Sequence, residues 1–201
     1  MSRSLRRARW TRRARWAAVP VAVIASGAII STASYSAFSA TTSNPTSNWS
    51  TGTVQLTDDD SDVALFSASG LMPGDTGTRC ITVTSTGSLP SSVRLYGTAA
   101  TTTNSLSSFL DLTIQQGSGA SSASCDGFTP ASQGAQVFSG TLADFASQRT
   151  DYATGAPTWS PDGTAAESRS FKFTYALSQS TPNTGQDSRA AIAFTWEAQT
   201  R

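Results

Sequence analysis

The chain of 201 residues contains no histidine, and this absence excludes several kinds of chemistry at once. Ser-His-Asp and Cys-His nucleophiles, the HExxH zinc helix and imidazole metal ligands all require that residue. The single lysine, Lys172, lies on the polar side of an alternating segment, which is typical of a solvated side chain. We therefore predict a protein that is not an enzyme and has no cofactor, no metal site and no small-molecule substrate.

Long apolar runs are also missing, apart from the fourteen residues AAVPVAVIASGAII at 17–30. That run is shorter than the ~20 residues of a spanning helix. It follows a stretch with seven arginines and precedes small residues, which is the order of a secretory signal peptide. Ser34 and Ser36 satisfy the small-residue rule for cleavage between Ser36 and Ala37, and cleavage after Ala33 or Ala37 also satisfies it. We predict a secreted protein, extracellular or attached to the cell surface, with residues 1–36 as the signal peptide.

Basic residues are scarce once the signal peptide is removed. Residues 37–201 carry seven basic and thirteen acidic side chains, a net charge of −6. Binding to nucleic acid or to anionic lipid needs clustered Lys and Arg, so neither partner is expected. Lysine is also a usual guard against pairing between strand edges, and its scarcity makes such pairing a candidate function. The pairs Arg6-Arg7 and Arg12-Arg13 leave twin-arginine export open beside the general secretory route.

The remaining composition favours strands. Ser and Thr make up 54 of residues 37–201, and Glu167 and Glu197 are the only glutamates. Thr favours strands and Ser favours turns, so polar outer faces on an all-β protein are expected. Apolar residues alternate with polar ones in six segments, separated by turn signals, and predict a jelly-roll-like sandwich of two antiparallel sheets with seven or eight strands. The alternating positions are Val54 and Leu56; Ile81 and Val83; Val93 and Leu95; Leu110, Leu112 and Ile114; Phe171, Phe173, Tyr175 and Leu177; and Ile192, Phe194, Trp196 and Ala198. Residues 140–148 are the exception, because Leu142 and Phe145 have helical spacing and predict a short helix.

Two cysteines, Cys80 and Cys125, are an even number in an exported chain, which predicts a disulfide. Closing a loop of this length stabilises a fold by ~4 kcal/mol in the chain-entropy model. A two-cysteine zinc site is the alternative, although it lacks histidine and CxxC spacing.

One charge run, Asp58 to Asp62, allows two interpretations. Asp58, Asp60 and Asp62 resemble the first half of a calcium loop, but Val63 stands where glycine is needed and Ser69 where glutamate is needed. A solvated acidic turn between two strands is the favoured interpretation. A further hypothesis is that tryptophan side chains line a sugar-binding face. The alternation argues against it, because it places Trp196 in the core.

Four segments resemble the TasA/camelysin family of bacterial exported proteins. They are SYSAFSATTS around the cleavage point, NWSTGTVQL at 48–56, LMPGDTGTRCITVTSTGSLPSSVRLYG at 71–97 and AAIAFTWEAQ at 190–199. The third is the most specific, because a Pro-Gly-Asp turn, a strand, a Gly-Ser-Leu turn and a second strand follow one another in the family's order. The cysteines depart from the founding members of the family.

The resemblance implies a biofilm-matrix or cell-surface fibre subunit whose signal peptide is cut by a SipW-type signal peptidase. It also implies self-association, in which an N-terminal segment of one subunit completes a sheet of the next. Residues 37–52 would form that extended segment, with Ala37 and Phe38 at its start, and residues 53–201 the sandwich. An ordinary disordered N-terminus is the alternative for this segment. For the whole protein, the alternatives are a camelysin-like metallo-endopeptidase and a surface adhesion or ligand-binding sandwich.

Overall fold

A computed structural model describes residues 39–44, 54–61, 64–66 and 70–201, with residues 39–44 described by their backbone. All these residues belong to one compact unit, Phe38–Arg201. Within them the chain forms ten strands, one α-helix and two short 3-10 helices. The strands are β1 Ser39–Asn44, β2 Leu56–Asp58, β3 Thr76–Ser85, β4 Ser91–Thr102, β5 Leu110–Ser118, β6 Thr129–Pro130, β7 Gln136–Thr141, β8 Ala156–Pro157, β9 Glu167–Leu177 and β10 Ala190–Thr200; the helix α1 is Leu142–Gln148; the 3-10 helices are Leu106–Ser108 and Asn183–Gly185.

These strands form two antiparallel sheets. The first sheet has the order β1-β10-β4-β8, and the second has the order β2-β3-β9-β5-β6, with β7 also paired to β5. Strands distant in sequence are therefore neighbours in space, and the chain passes repeatedly from one sheet to the other. This crossing pattern of two interleaved Greek keys defines a jelly roll, so the predicted fold class is confirmed.

The core lies between the sheets, where the alternating apolar faces of β9 and β10 meet. Phe171 and Trp196 have ring centroids 5.2 Å apart, and those of Phe173 and Phe194 are 4.7 Å apart. Phe171, Phe173 and Trp196 are fully buried. Such aromatic pairs add to the stabilisation from buried apolar area, which is ~1.5–3 kcal/mol for each large side chain.

The short helix begins with a reciprocal cap. The Asp144 amide donates to Thr141 Oγ1 at 3.0 Å, and the Thr141 amide donates to Asp144 Oδ2 at 3.2 Å. The hydrogen bonds from Thr141 lower the pKa of the Asp144 carboxyl. From this start the helix points Phe145 into the core, where its ring lies 5.0 Å from Phe138 and 5.5 Å from Phe194. The helix predicted over 140–148 is thus confirmed, and it begins two residues later.

Several predicted features lie outside the described residues. These are the signal peptide 1–36, the cleavage residues Ser36 and Ala37, the aromatic Phe38, and Trp49. No helix in the described part of the chain is long and apolar enough to cross a membrane.

Candidate assembly site

The N-terminal strand β1 lies at the end of the first sheet, where its single neighbour is β10. The pairing is antiparallel and continuous, from Ser39 opposite Gln199 to Asn44 opposite Phe194. In this monomer the segment thus supplies a strand to its own domain, and Pro45 follows directly after the last paired residue. Pro45 cannot donate a ladder hydrogen bond, which explains why the strand ends there.

The other side of β1 is an edge that no strand of the described residues covers. We use the term β1 edge for the backbone N–H and C=O groups of Ser39–Asn44 that point away from β10, with which no strand of the described residues pairs. The sequence SATTSN contains no charged residue, no proline and no glycine. Charged residues and proline are usual means by which a protein prevents its strand edges from pairing with another chain.

β3 is an edge from Thr76 to Thr82, where β2 does not reach it, and it carries the charged Arg79 there; the other edge strands in the described part of the chain are short or bulged. β8 has two residues and ends in Pro157, and β6 has two residues and ends in Pro130. β2 has three residues and leads into the acidic run. β7 has a register shift opposite Ile114 and Gln115, which marks a β-bulge. Short length, proline, charge and bulges all disfavour pairing with another chain, so β1 is the edge suited to it.

A nine-residue segment, 45–53, connects β1 to the rest of the domain at Val54. A chain of nine residues spans at most about 30 Å, since a fully extended chain rises ~3.3 Å per residue. Val54 is buried in the core, so the chain is anchored to the domain at that residue. The covalent chain therefore allows β1 to reach a neighbouring molecule without unfolding the core.

The outer face of the second sheet is covered by the loop between β5 and β6, residues 119–128. Cys125 in this loop forms a disulfide with Cys80 on β3, with Cα atoms 5.3 Å apart. The predicted pairing of the two cysteines is confirmed, and the zinc alternative is excluded because both sulfurs are in the disulfide. The base of the loop needs glycine at Gly119, which has a φ of 84° and where a Cβ would meet the carbonyl of Gly127.

Hydroxyl groups hold the same loop against the sheet. Thr82 Oγ1 donates to the Ala120 carbonyl at 2.7 Å, and Ser170 Oγ donates to the same carbonyl at 3.0 Å. Lys172 Nζ lies 5.2 Å from the centroid of the Phe128 ring, a cation–π contact. Lys172 thus has a structural contact on the outer face, which fits the prediction that it lies on the polar side of its strand.

The acidic run has a defined role through Asp59. Its Oδ1 accepts from the Thr82 amide at 2.8 Å, and its Oδ2 accepts from the Ser122 amide at 2.8 Å. One carboxylate therefore joins the edge of β3 to the disulfide loop. Sequence reasoning missed this bridge, because Thr82 is 23 and Ser122 is 63 residues away. The calcium interpretation also needs Asp62, Val63 and Ser69, which lie outside the described residues.

The outer face of the first sheet holds a second polar cluster. Tyr96 donates to Glu197 Oε2 at 2.8 Å, and Tyr152 donates to the Ser92 carbonyl at 3.1 Å. Burial, followed by the bond to Glu197, raises the pKa of the Tyr96 hydroxyl above its usual range. Burial also raises the pKa of Tyr152, although the nearby Arg94 opposes it. Both tyrosine hydroxyls thus have acceptors within the fold, and these hydrogen bonds stabilise the sheet that carries β1.

The described residues contain neither a metal-binding group for the peptidase alternative nor exposed tryptophans for the sugar-binding alternative. No group of three or more Cys, Asp or Glu side chains there could hold a metal ion. Trp159 and Trp196 are both buried in the core, so neither can line an exposed sugar-binding face. The core position predicted for Trp196 is confirmed.

No protein-family model and no curated protein sequence matches this chain.

Proposed function

We propose that this protein is an exported structural subunit, of the biofilm-matrix or cell-surface type, that assembles into fibres by exchange of β1. In this mechanism β1 leaves β10 of its own domain and pairs with β10 of the next subunit. A SipW-type signal peptidase would expose the segment by cutting between Ser36 and Ala37. The resemblance to the TasA/camelysin family supports the proposal, as does the disulfide, which is typical of exported proteins.

The observation that carries the proposal is the position of β1 at a sheet edge that no strand of the described residues covers, separated from Val54 by nine residues of chain. Every subunit has one β1 to donate and one β10 to receive it. Because donor and acceptor are different surfaces, the contact is head-to-tail and can repeat without closing. Backbone pairing supplies the affinity, and the register of the strand supplies the specificity.

An engineered disulfide between β1 and β10 tests the exchange directly. Ser39 and Gln199 are partners in an antiparallel ladder, where Cα atoms lie ~4.5–5.5 Å apart, a separation that suits a disulfide. We expect the variant Ser39→Cys/Gln199→Cys, oxidised as a monomer, to remain monomeric. Oxidised after assembly, the same variant should give a ladder of covalent multimers on a non-reducing gel.

The matched control places the same number of new thiols where they cannot hold β1. Gln199 also faces Ser92 across the pair β10–β4, so Gln199→Cys/Ser92→Cys crosslinks two strands that both stay in the domain. This control should assemble like the wild type and give no ladder. Locked Ser39→Cys/Gln199→Cys monomers that assemble at the wild-type rate would contradict strand exchange. Peptide mapping would verify that Cys80 and Cys125 keep their own pairing.

Proline variants distinguish exchange from simple pairing of two β1 edges. The amide groups of consecutive strand residues point to opposite edges, so of Thr41→Pro and Thr42→Pro one removes a bond to β10 and the other affects only the outer edge. Strand exchange predicts that the variant that affects only the outer edge still forms fibres. Edge-to-edge pairing predicts that the variant that loses a bond to β10 still forms them. Electron microscopy of both variants provides the measurement.

A further inference from the structure

The two sheets separate at one end of the sandwich and leave a cavity of about 800 Å³. This end holds the beginning of β5 and β10 and the end of β9. The walls are mainly aliphatic and come from both sheets and from α1; they include Leu110, Leu112, Leu142, Leu177, Ile192 and Phe194. A volume of this size lies within the range of roughly 300–1,000 Å³ that is typical of small-molecule sites.

Exposed polar residues also line the cavity, and Tyr175 of β9 adds a phenol to its wall. Asp111, Asp187 and Arg189 line the cavity and are exposed, together with Gln186, and we call these four residues its mouth. Two carboxylates and one guanidinium leave a net charge of −1, and because all three side chains are exposed, water screens this charge and the mouth selects only weakly for a charged group. Because the mature chain has a net charge of −6, an anionic ligand is further disfavoured.

Hydrogen bonds fix the chain at two of the lining residues. The Arg189 amide donates to Thr103 Oγ1 at 2.7 Å, and the Thr103 amide donates to the Arg189 carbonyl at 2.8 Å. At Leu177, another lining residue, the Gly74 amide donates to the carbonyl at 2.7 Å. The polar groups are thus held in place around an apolar interior, which is the usual design of a preformed ligand site.

We propose that this cavity binds an uncharged single-chain amphiphile, with its hydrocarbon tail between the sheets and its polar head against residues 186–189. The aliphatic side chains of the walls match a hydrocarbon tail, and burial of each methylene supplies a constant increment of affinity. The amide of Gln186 and the hydroxyl of Ser188 are suited to hydrogen-bond an uncharged head. The cavity meets the assembly site at Phe194, which lines the cavity and is the partner of Asn44 at the end of β1.

Calorimetric titration of the mature protein with octanol, decanol and dodecanol tests the tail. Affinity should rise about four-fold for each added methylene. Dodecanoate and dodecylammonium, which have the same tail and opposite charges, should both bind more weakly than dodecanol. Absence of binding by all three alcohols, or affinity that follows head charge and ignores chain length, would overturn the proposal.

Two tryptophan variants locate the binding. Leu106 lines the cavity from a 3-10 helix at the surface, so Leu106→Trp fills part of the space without replacing a core residue. Met72 is 67% exposed and does not line the cavity, so Met72→Trp adds the same ring outside it. Leu106→Trp should weaken dodecanol binding by at least about ten-fold, a loss of ~1.4 kcal/mol, and Met72→Trp should leave it unchanged.

Further measurements distinguish a filled cavity from misfolding of the variant and from binding at another place. Circular dichroism of Leu106→Trp should match the wild type; if this variant is misfolded, Ala64→Trp at the same wall replaces it. Light scattering during the titration reports the state of association. If the alcohols bind equally well to the filled variant, or act only by dissociating oligomers, the cavity is not a lipid site and the proposal fails.

Discussion

The carboxylate of Asp59 joins the amide of Thr82 on β3 to the disulfide loop, with its Oδ1 only 2.8 Å from that amide. A second hydrogen bond, from the Ser122 amide, completes the bridge. The bridge occupies the β3 edge beyond the short strand β2, whose pairing ends at Val83. Asp59 therefore satisfies the Thr82 amide, next to the point where the pairing with β2 ends.

Replacing Asp59 by alanine should remove both hydrogen bonds and lower the free energy of unfolding by ~1–3 kcal/mol. Asp126→Ala is the matched control, since it removes one charge from the disulfide loop that Asp59 contacts. The Asp126 side chain has no hydrogen bond in the described part of the chain. Urea denaturation of both variants provides the comparison. Equal loss of stability in the two variants would show that charge alone, and no specific bridge, accounts for the effect.

The disulfide between Cys80 and Cys125 should contribute to stability through the loop that it closes. Its sequence separation is 45 residues, and replacing both cysteines by serine should lower the free energy of unfolding by ~2–4 kcal/mol. Limited proteolysis should then cut the chain between Gly119 and Phe128. Thiol labelling of denatured, unreduced wild-type protein should give no signal, and reactive thiols there would contradict the disulfide.

The long strands could be predicted from sequence because their apolar residues alternate strictly. Phe171 and Phe173 in β9, and Phe194 and Trp196 in β10, are buried as the alternation requires. Each of these strands has one face in the core and one face toward solvent or a loop, which is the condition under which a period of two appears in the sequence.

Other elements of the fold show no such alternation in the sequence. The two-residue strands β6 and β8 exist only through their partners, and β1 has no alternation of large apolar residues. The bridge made by Asp59 and the cavity beside Leu177 both join segments that are distant in sequence. A local pattern cannot report contacts of this kind, whereas an even number of cysteines, together with the predicted signal peptide, is sufficient to predict the disulfide.

The bond between Tyr96 and Glu197 should make stability depend on alkaline pH. Burial and this bond raise the pKa of Tyr96 in the folded protein, so its contribution is fully present below the ordinary tyrosine pKa of about 10 and is lost as the pH rises above it. The wild type should therefore lose more stability than Tyr96→Phe between neutral and strongly alkaline pH. Urea midpoints measured across that interval would test it, and equal losses in the two proteins would contradict the assignment.

Proteolytic activity provides a test of the metallo-endopeptidase alternative. Because the chain has no histidine, purified mature protein should not cleave casein in a chelator-sensitive manner. Mass spectrometry of the incubated substrate would detect any products. Cleavage that a zinc chelator abolishes and added zinc restores would overturn the structural-protein proposal.

The last prediction concerns the N-terminal segment as a separable part. A chain that begins at Asn48 lacks β1 but keeps the apolar faces of β3, β4, β5, β9 and β10, so it should fold and remain monomeric. A synthetic peptide of residues 37–48 should bind this truncated chain, because the β10 edge from Phe194 to Gln199 is then unpaired. Phe38→Ala in the peptide should weaken binding if that side chain fixes the register, and Thr41→Pro and Thr42→Pro together should abolish it.

Fibre formation by full-length mature protein should also be blocked by excess peptide, since both compete for the same edge of β10. Isothermal titration would measure peptide binding, and electron microscopy would measure fibres. Fibres of the truncated chain that match those of the full mature protein would exclude β1 as the donor. A truncated chain that stays monomeric and fails to bind the peptide would also contradict exchange, because acceptance of the strand by a vacated β10 is the step on which assembly depends.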